Sequence, residues 1–226
     1  MNYSEFKKVI QSYKKDNSQE AFTENKKDIR VKKEKTVVKN LERIFDATLK
    51  IGNAKGFHAM SMRDLSEETS LSMGALYAYF KSKENLLVML QKNGRDNFLN
   101  ILRDLVKNDE SVLEKLQTYV KTHLFMSEAM QARFYFTYME GKNLNKVERK
   151  LAVEHELEGD SLLTEILVQG EKDDVFKKQE HSVTSALIKA MLNDWYLKRW
   201  KYAKLNVSVD EYAVYVLDVV EAYCSK

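Results

Sequence analysis

Residues 61–86, SMRDLSEETSLSMGALYAYFKSKENL, contain three helix-start signals in close succession. Ser61 is followed three residues later by Asp64, and Ser72 and Ser82 precede two further stretches with helical apolar spacing. A serine in such a position can accept a hydrogen bond from a free N–H group of the first helical turn. The link between the first two helices is short, so they must cross sharply. This arrangement predicts a helix-turn-helix, whose second helix enters the major groove of DNA.

The second helix of this motif is predicted to run from about Met73 to Phe80, with Leu76 and Phe80 facing inward. The outward side chains would be Met73, Ala75, Tyr77, Ala78 and Tyr79. None of these is Arg, Lys, Asn or Gln, the residues that make bidentate contacts with base edges. Base reading therefore has to rely on apolar contacts with thymine methyl groups, while the tyrosine hydroxyls bind phosphates and Gly74 lets the backbone approach.

Polar contacts with DNA are expected from the helices on either side. Arg63 lies in the first turn of the preceding helix, and Lys83 lies at the start of the following one, where a helix N-terminus favours an anion. The complete set of candidate DNA-binding residues is Ser61, Arg63, Ser72, Met73, Gly74, Ala75, Tyr77, Ala78, Tyr79 and Lys83.

From about Lys39 to Leu87 the chain resembles the DNA-binding head of the TetR family of transcriptional repressors. The block at residues 74–84, GALYAYFKSKE, is very close to the signature of that family. The resemblance implies an all-α protein, in which a three-helix head is followed by a helical ligand-binding and dimerisation domain. It supports DNA contacts by Ser61, Tyr77, Tyr79 and Lys83. The chain departs from the family at Thr48, Gly52 and Ser70, where alanine, phenylalanine and glycine are usual.

The composition independently favours an all-α protein. The 226 residues include no proline and only seven glycines, so the many turns of a β-rich protein are not available. Hydrophobic residues make up 44% of the chain, which is enough for a core. The net charge of +3 indicates no particular partner, and one cysteine, Cys224, excludes an internal disulfide. No secretory signal or membrane-spanning run is visible, so a cytoplasmic protein is expected. The resemblance to the TetR family implies that it is associated with a bacterial nucleoid.

Three segments are predicted: a basic leader at 1–35, the helix-turn-helix domain at 36–84 and the helical second domain at 85–226. In the leader, lysines recur in pairs at Lys7-Lys8, Lys14-Lys15, Lys26-Lys27 and Lys32-Lys33. One interpretation is a solvated tail that is partly disordered or helical. The other is an arm that follows the DNA backbone beside the head. The family resemblance does not cover this leader.

The second domain contains an aromatic-rich segment at 130–140, MQARFYFTYME. Aromatic residues at helical spacing are usually core. In the TetR family this domain encloses a ligand pocket, so some of these rings are expected to line a cavity. The candidate pocket residues are His123, Phe134, Tyr138, Met191 and Trp195. The expected effector is a bulky apolar molecule, for which both a fatty-acyl thioester and a drug-like xenobiotic remain open.

The last predicted helix, beginning after Ser208, is apolar nearly all the way round. Such a helix must be covered on more than one face, and a second copy of the chain can cover one of them. The TetR family uses its last two long helices for a four-helix bundle between subunits. The candidate homodimer residues are Leu187, Tyr212, Val216, Val219 and Val220.

The sequence contains no recognisable catalytic constellation. Its four histidines are far apart, and it has neither a phosphate-binding glycine loop nor a nucleophile elbow. No cofactor and no metal are expected. The sequence therefore predicts a regulator, not an enzyme: a repressor that a small, largely apolar molecule releases from a palindromic operator. The alternative is a DNA-binding or protein-interaction module without ligand control. A buried cavity favours the first, and a filled core favours the second.

Overall fold

The computed structural model describes residues 1–27, 29–31, 33–106 and 111–226, without the side chains of residues 12 and 14–18. In this part of the chain the architecture is all-α, as predicted, with one short 3₁₀ turn at Gly141–Asn143. The helices are α1 (Tyr3–Asn25), α2 (Glu34–Lys55), α3 (Met62–Thr69), α4 (Met73–Leu76), α5 (Lys83–Leu105), α6 (Val112–Ala129), α7 (Gln131–Glu140), α8 (Lys146–Lys172), α9 (His181–Leu197), α10 (Arg199–Lys204) and α11 (Val209–Cys224). None of these helices is both long and apolar enough to cross a membrane.

Serine caps determine where several helices begin. Ser61, Ser111 and Ser208 each form a capping box, in which the serine accepts from a backbone N–H and the acid three residues later accepts in return. Ser72 accepts from the Ala75 N–H, and Ser82 accepts from the Asn85 N–H, both at 3.2 Å. The helix starts predicted at positions 61, 72 and 82 are therefore confirmed.

The chain forms two compact units that are not continuous in sequence. The head unit comprises Val9–Asn97 and Ala132–Ala152, and the body unit comprises Met1–Lys8, Phe98–Gln131 and Val153–Lys226. Helices α1, α5 and α8 each contribute residues to both. The predicted division into three sequential segments remains a prediction.

The leader is a helix with buried apolar residues. In the head unit, Ala21 and Phe22 of α1 and Ile29 beyond it belong to the same hydrophobic cluster as Leu41, Ile44 and other core residues. In the body unit, the ring of Phe6 packs on Phe125 with centroids 5.7 Å apart. Several apolar residues of the leader are thus buried, which is why its helix packs against the protein.

Gly52 of α2 is a point of close approach in the head unit. The ring of Phe136 from α7 lies so near that a Cβ atom at position 52 would overlap it. Phe136 is buried and makes an edge contact with Phe57, with centroids 6.0 Å apart and planes at 80°. An aromatic ring from another helix therefore occupies the space beside position 52, where TetR-family heads usually carry phenylalanine themselves.

The core of the body unit contains a stack of aromatic rings. Trp195 of α9 lies against Tyr202 and Tyr212, with centroids 5.0 and 4.9 Å apart. The Trp195 Nε1 donates to Glu128 at 3.0 Å, and the Arg199 guanidinium donates two hydrogen bonds to the same carboxylate. These contacts join α6, α9, α10 and α11 into one packed layer.

Candidate nucleic-acid interface and effector region

The turn between α3 and α4 is held by side-chain hydrogen bonds. The Ser66 hydroxyl donates to the Leu71 carbonyl at 2.5 Å, and the buried Thr69 hydroxyl donates to the Leu65 carbonyl at 2.6 Å. Ser70 has a left-handed backbone with φ of +50°, which glycine adopts most easily. This conformation explains the glycine that the TetR family usually has there, and the structure accommodates serine instead.

The recognition helix is shorter than predicted, because α4 ends at Leu76 and not near Phe80. The next two backbone bonds span three residues and tighten the chain: Ala78 N–H donates to Ala75, and Tyr79 N–H donates to Leu76, at 3.2 and 2.9 Å. The tighter turn changes which side chains face outward after Leu76.

The exposed part of the motif consists of the first residues of α4 and the tyrosine that follows it. Met73 and Tyr77 are 37% and 43% exposed, and Ser72 is also exposed. Gly74 is exposed, and a Cβ atom there would meet nothing within 4 Å. Ala75 and Ala78 are half-buried. Among these residues, the structure agrees with the predicted outward positions of Met73 and Tyr77.

The predicted outward position of Tyr79 is wrong. Its ring is 2% exposed and belongs to the head core, and its hydroxyl accepts a hydrogen bond from Asn40 Nδ2 at 2.6 Å. The tight turn after α4 brings Tyr79 and Phe80 into the core together. Asn40, on α2, was missed by the sequence analysis because nothing local marks it as a partner of Tyr79.

The residues predicted to make polar contacts with DNA differ in their solvent exposure. Arg63 is exposed, whereas Lys83 is half-buried: its Nζ donates to the His58 carbonyl at 2.9 Å and lies 4.8 Å from the Phe57 ring centroid. Burial lowers the pKa of the Lys83 ammonium. Ser61 caps α3 through its reciprocal hydrogen bonds with Asp64. The Asp64 carboxylate also forms an ion pair with Lys55. The hydrogen bond from Lys55 is the main cause of the lowered pKa of the Asp64 carboxyl.

A contact that the sequence did not indicate ties the leader to the recognition turn. The Arg30 backbone N–H donates to the Ala78 carbonyl at 2.8 Å, and the Arg30 side chain is exposed. The family resemblance begins after this segment, so no motif could have revealed the contact. Arg30 therefore lies directly beside the turn that follows α4.

The predicted effector residues are divided between the two units. Phe134 and Tyr138 belong to the head unit, where Tyr138 is 57% exposed. His123, Met191 and Trp195 belong to the body unit, where Trp195 is fully buried in the aromatic stack. Tyr138 is thus a surface residue and Trp195 a core residue of their units, and the ligand pocket remains a prediction.

His123 is a buried histidine whose ring contacts Phe98 edge-on, with centroids 5.1 Å apart. Burial first, and then the charge of Lys189, hold the pKa of the His123 imidazole well below its usual value. Met191 is half-buried, and its carbonyl accepts from the Tyr212 hydroxyl at 2.8 Å. The only cysteine, Cys224, is also buried, and burial raises the pKa of its thiol.

The predicted dimer residues separate into exposed and buried ones. Leu187 and Val219 are 58% and 57% exposed, and Tyr212 is half-buried in the aromatic stack. Val216 and Val220 are 3% and 2% exposed, so their predicted place on an interface is wrong. Helix α11 packs on α6 and α9, and these helices cover the side of α11 that carries Val216 and Val220. The outer apolar residues of α9 and α11 are Val183, Leu187, Val214, Tyr215, Val219 and Tyr223.

Two family models match the chain. The one described as "Bacterial regulatory proteins, tetR family" matches residues 44–90, and "Tetracyclin repressor-like, C-terminal domain" matches residues 109–220. Together with the capped α3–α4 motif in an all-helical chain, they define a helix-turn-helix DNA-binding regulator of transcription, which is not an enzyme. The chain belongs to the TetR family, so the resemblance seen in the sequence is confirmed.

Three similar proteins illustrate the likeness. The fatty acid metabolism regulator protein of Bacillus subtilis (strain 168) is 23% identical over 171 residues, which are 73% of this chain and 88% of that one. The structure of a TetR-family regulatory protein from Rhodococcus RHA1 has a TM-score of 0.77 at 19% identity, covering 83% of this chain and 99% of its own. The structure of FadR from Bacillus subtilis in complex with stearoyl-CoA has a TM-score of 0.67 at 20% identity, covering 80% and 97%.

Proposed function

We propose that the protein is a homodimeric repressor, acting on the bacterial nucleoid in the cytoplasm, which binds a palindromic operator and leaves it when a fatty-acyl thioester binds. The observation that carries the DNA-binding part is the exposed surface of Ser72, Met73, Gly74 and Tyr77 at a capped helix-turn-helix. Two heads would read half-sites about one turn of DNA apart, or a multiple of it.

The exposed residues of α4 are suited to recognising bases through apolar contacts. Met73 and Ala75 can contact thymine methyl groups, which project into the major groove. Gly74 presents no side chain, so the backbone of α4 can approach the bases closely. The hydroxyl of Tyr77 can donate to a phosphate on the side of the groove, and the exposed Arg63 can bind a base edge or another phosphate.

Gly74 provides the sharpest test, because a side chain there has open space in the free protein. Gly74→Leu should leave the melting temperature unchanged, yet reduce operator affinity at least about tenfold, since the new side chain occupies the space needed by the DNA. The measurement is an electrophoretic mobility shift with an operator selected from random duplexes. Gly141→Leu is the matched control, because a Cβ atom at Gly141 also meets nothing within 4 Å. Wild-type operator affinity of the Gly74→Leu variant would contradict the proposal that α4 lies in the major groove.

The effector proposal is supported by similar proteins and by one half-buried cation. A fatty acid regulator is among the similar sequences, and stearoyl-CoA is bound in the FadR structure. In the head unit, Arg133 donates to Asn93 Oδ1 at 3.2 Å, and burial lowers the pKa of its guanidinium. An anionic group on a ligand would offset the cost of burying that charge. A coenzyme A thioester combines an apolar chain with such anionic groups.

Release by a thioester can be measured directly. Stearoyl-CoA at micromolar concentration should lower operator affinity, because an effector shifts the equilibrium by its differential affinity for the two states. Coenzyme A without an acyl chain and free stearic acid are the controls, and neither should match the thioester. Titration of the DNA complex followed by native mass spectrometry of the protein gives both the release and the stoichiometry.

A regulator without ligand control is the second candidate. The close stacking of Trp195, Tyr202 and Tyr212 supports it, because this part of the body unit is packed core. In that case operator affinity would stay constant with every thioester tested, and no acyl compound would co-purify with the protein.

A further inference from the structure

We propose that residues 26–35, which join α1 to α2 and include the first two residues of α2, form a second DNA-binding element that holds the phosphates flanking the half-site. This proposal rests on the proposed operator binding and assigns a function to a segment that the TetR-family models do not cover. The exposed basic residues of the segment are Lys26, Lys27, Arg30, Lys33 and Lys35.

The segment is held in place on both sides. Before it, Phe22 is buried in the head core and Glu24 forms an ion pair with Lys92 of α5, at 2.9 Å. Within it, Ile29 is buried in the same core. Near its end, Glu34 at the start of α2 accepts from Gln19 of α1 at 2.6 Å. The basic side chains thus project from an anchored backbone, so binding need not order a free tail.

One backbone hydrogen bond joins the segment to the turn after α4. The Arg30 N–H donates to the Ala78 carbonyl at 2.8 Å, and Ala78 directly follows Tyr77, the exposed tyrosine beside α4. Both partners belong to the head unit. A duplex that receives α4 in its major groove must present its flanking backbone close to this turn. Arg30 and its neighbours are therefore within side-chain reach of that backbone.

The charge of the segment fits phosphate. Residues 26–35 contain six basic and two acidic residues, a larger excess than the +3 of the whole chain. Moreover, residues 73–80 contain no Arg or Lys, so the cations that neutralise phosphates must come from elsewhere. Long exposed lysine and arginine side chains suit the sugar–phosphate backbone, which is the same in every sequence. The segment should thus add affinity and salt dependence without adding sequence preference.

The test compares two double variants with equal loss of charge. Arg30→Gln/Lys33→Gln changes the segment, and Lys7→Gln/Lys8→Gln changes exposed residues at the start of α1, in the body unit. The bond to Ala78 uses the Arg30 backbone, so the first variant retains it and should keep the wild-type melting temperature. Operator binding is measured between 50 and about 300 mM salt.

The expected result is a smaller salt dependence for the Arg30/Lys33 variant alone. Each lost phosphate contact lowers the slope of log K against log salt by about 0.9, so four lost contacts in a dimer lower it by about 3 to 4. Hydroxyl-radical protection of the flanking backbone should shrink in parallel. An unchanged slope, or an equal change in the Lys7/Lys8 variant, would overturn the inference. Failure of the wild-type protein to bind any duplex would instead overturn the proposed function.

Discussion

Leu187→Asp combined with Val219→Asp should give a folded monomer that no longer holds its operator. Both side chains are more than half exposed in the body unit, so a carboxylate there remains hydrated and costs the fold little. In a dimer that buries these outer faces of α9 and α11, two unpaired charges per protomer would be desolvated, which is prohibitive. Sedimentation velocity should show the monomer, and the far-UV spectrum should be that of the wild-type protein.

The loss of dimerisation should reduce operator affinity by about 10²-fold or more, because the second head would no longer bind at the high effective concentration that the first provides. Val147→Asp is the surface control, since Val147 is 69% exposed in the head unit. Val216→Asp is the core control: it buries an unpaired charge at a position 3% exposed and should unfold the protein. A double variant that still sediments as a dimer would place the interface on another surface.

Gly52→Phe, which introduces the residue usual in TetR-family heads, should destabilise this protein strongly. The ring of Phe136 already occupies the space beside position 52, so a second ring there overpacks the head core by about 1–3 kcal/mol or more. Phe136→Ala alone should cost about 3–5 kcal/mol through the cavity it leaves. The combined Gly52→Phe/Phe136→Ala variant should be more stable than the sum of the two changes predicts.

The measurement for this cycle is the free energy of unfolding from urea titrations of all four proteins. Residues in contact typically show a coupling of about 0.5–3 kcal/mol, whereas distant sites are nearly additive. Gly141→Phe is the control for adding a ring at a glycine with open space, and it should couple to Phe136→Ala only weakly. Additive effects of Gly52→Phe and Phe136→Ala would show that the two positions do not share one site.

Much of the DNA-binding head was predictable, because its signals are local. The serines at 61, 72 and 82 and the apolar positions Leu65, Leu76 and Phe80 are confirmed as caps and core. The prediction for Tyr79 failed where the chain left the helix, since helical spacing does not apply beyond Leu76. The effector residues could not be placed from the sequence either, because an aromatic residue looks the same in a core, on a surface and in a cavity.

Helix α11 shows the same limit in another form. Its sequence is apolar on several faces, so periodicity could predict that it is covered twice but could not say which face its own unit covers. Packing on α6 and α9 buries Val216 and Val220 and leaves Val214, Tyr215 and Val219 outside. The leader is a comparable case, since its anchors on the head lie on α5 and beyond α4, far along the chain.

The amino-acid sequence by itself determined the helices, their capped starts and the helix-turn-helix, because these depend on hydrogen bonds and apolar spacing within a few residues. Only the tertiary structure decided that Tyr79 is core, that Phe136 replaces a ring at Gly52, that Arg30 lies beside the recognition turn, and which side of α11 is free. Each of these features depends on a contact with a residue far away in the sequence, and local sequence patterns do not indicate such contacts.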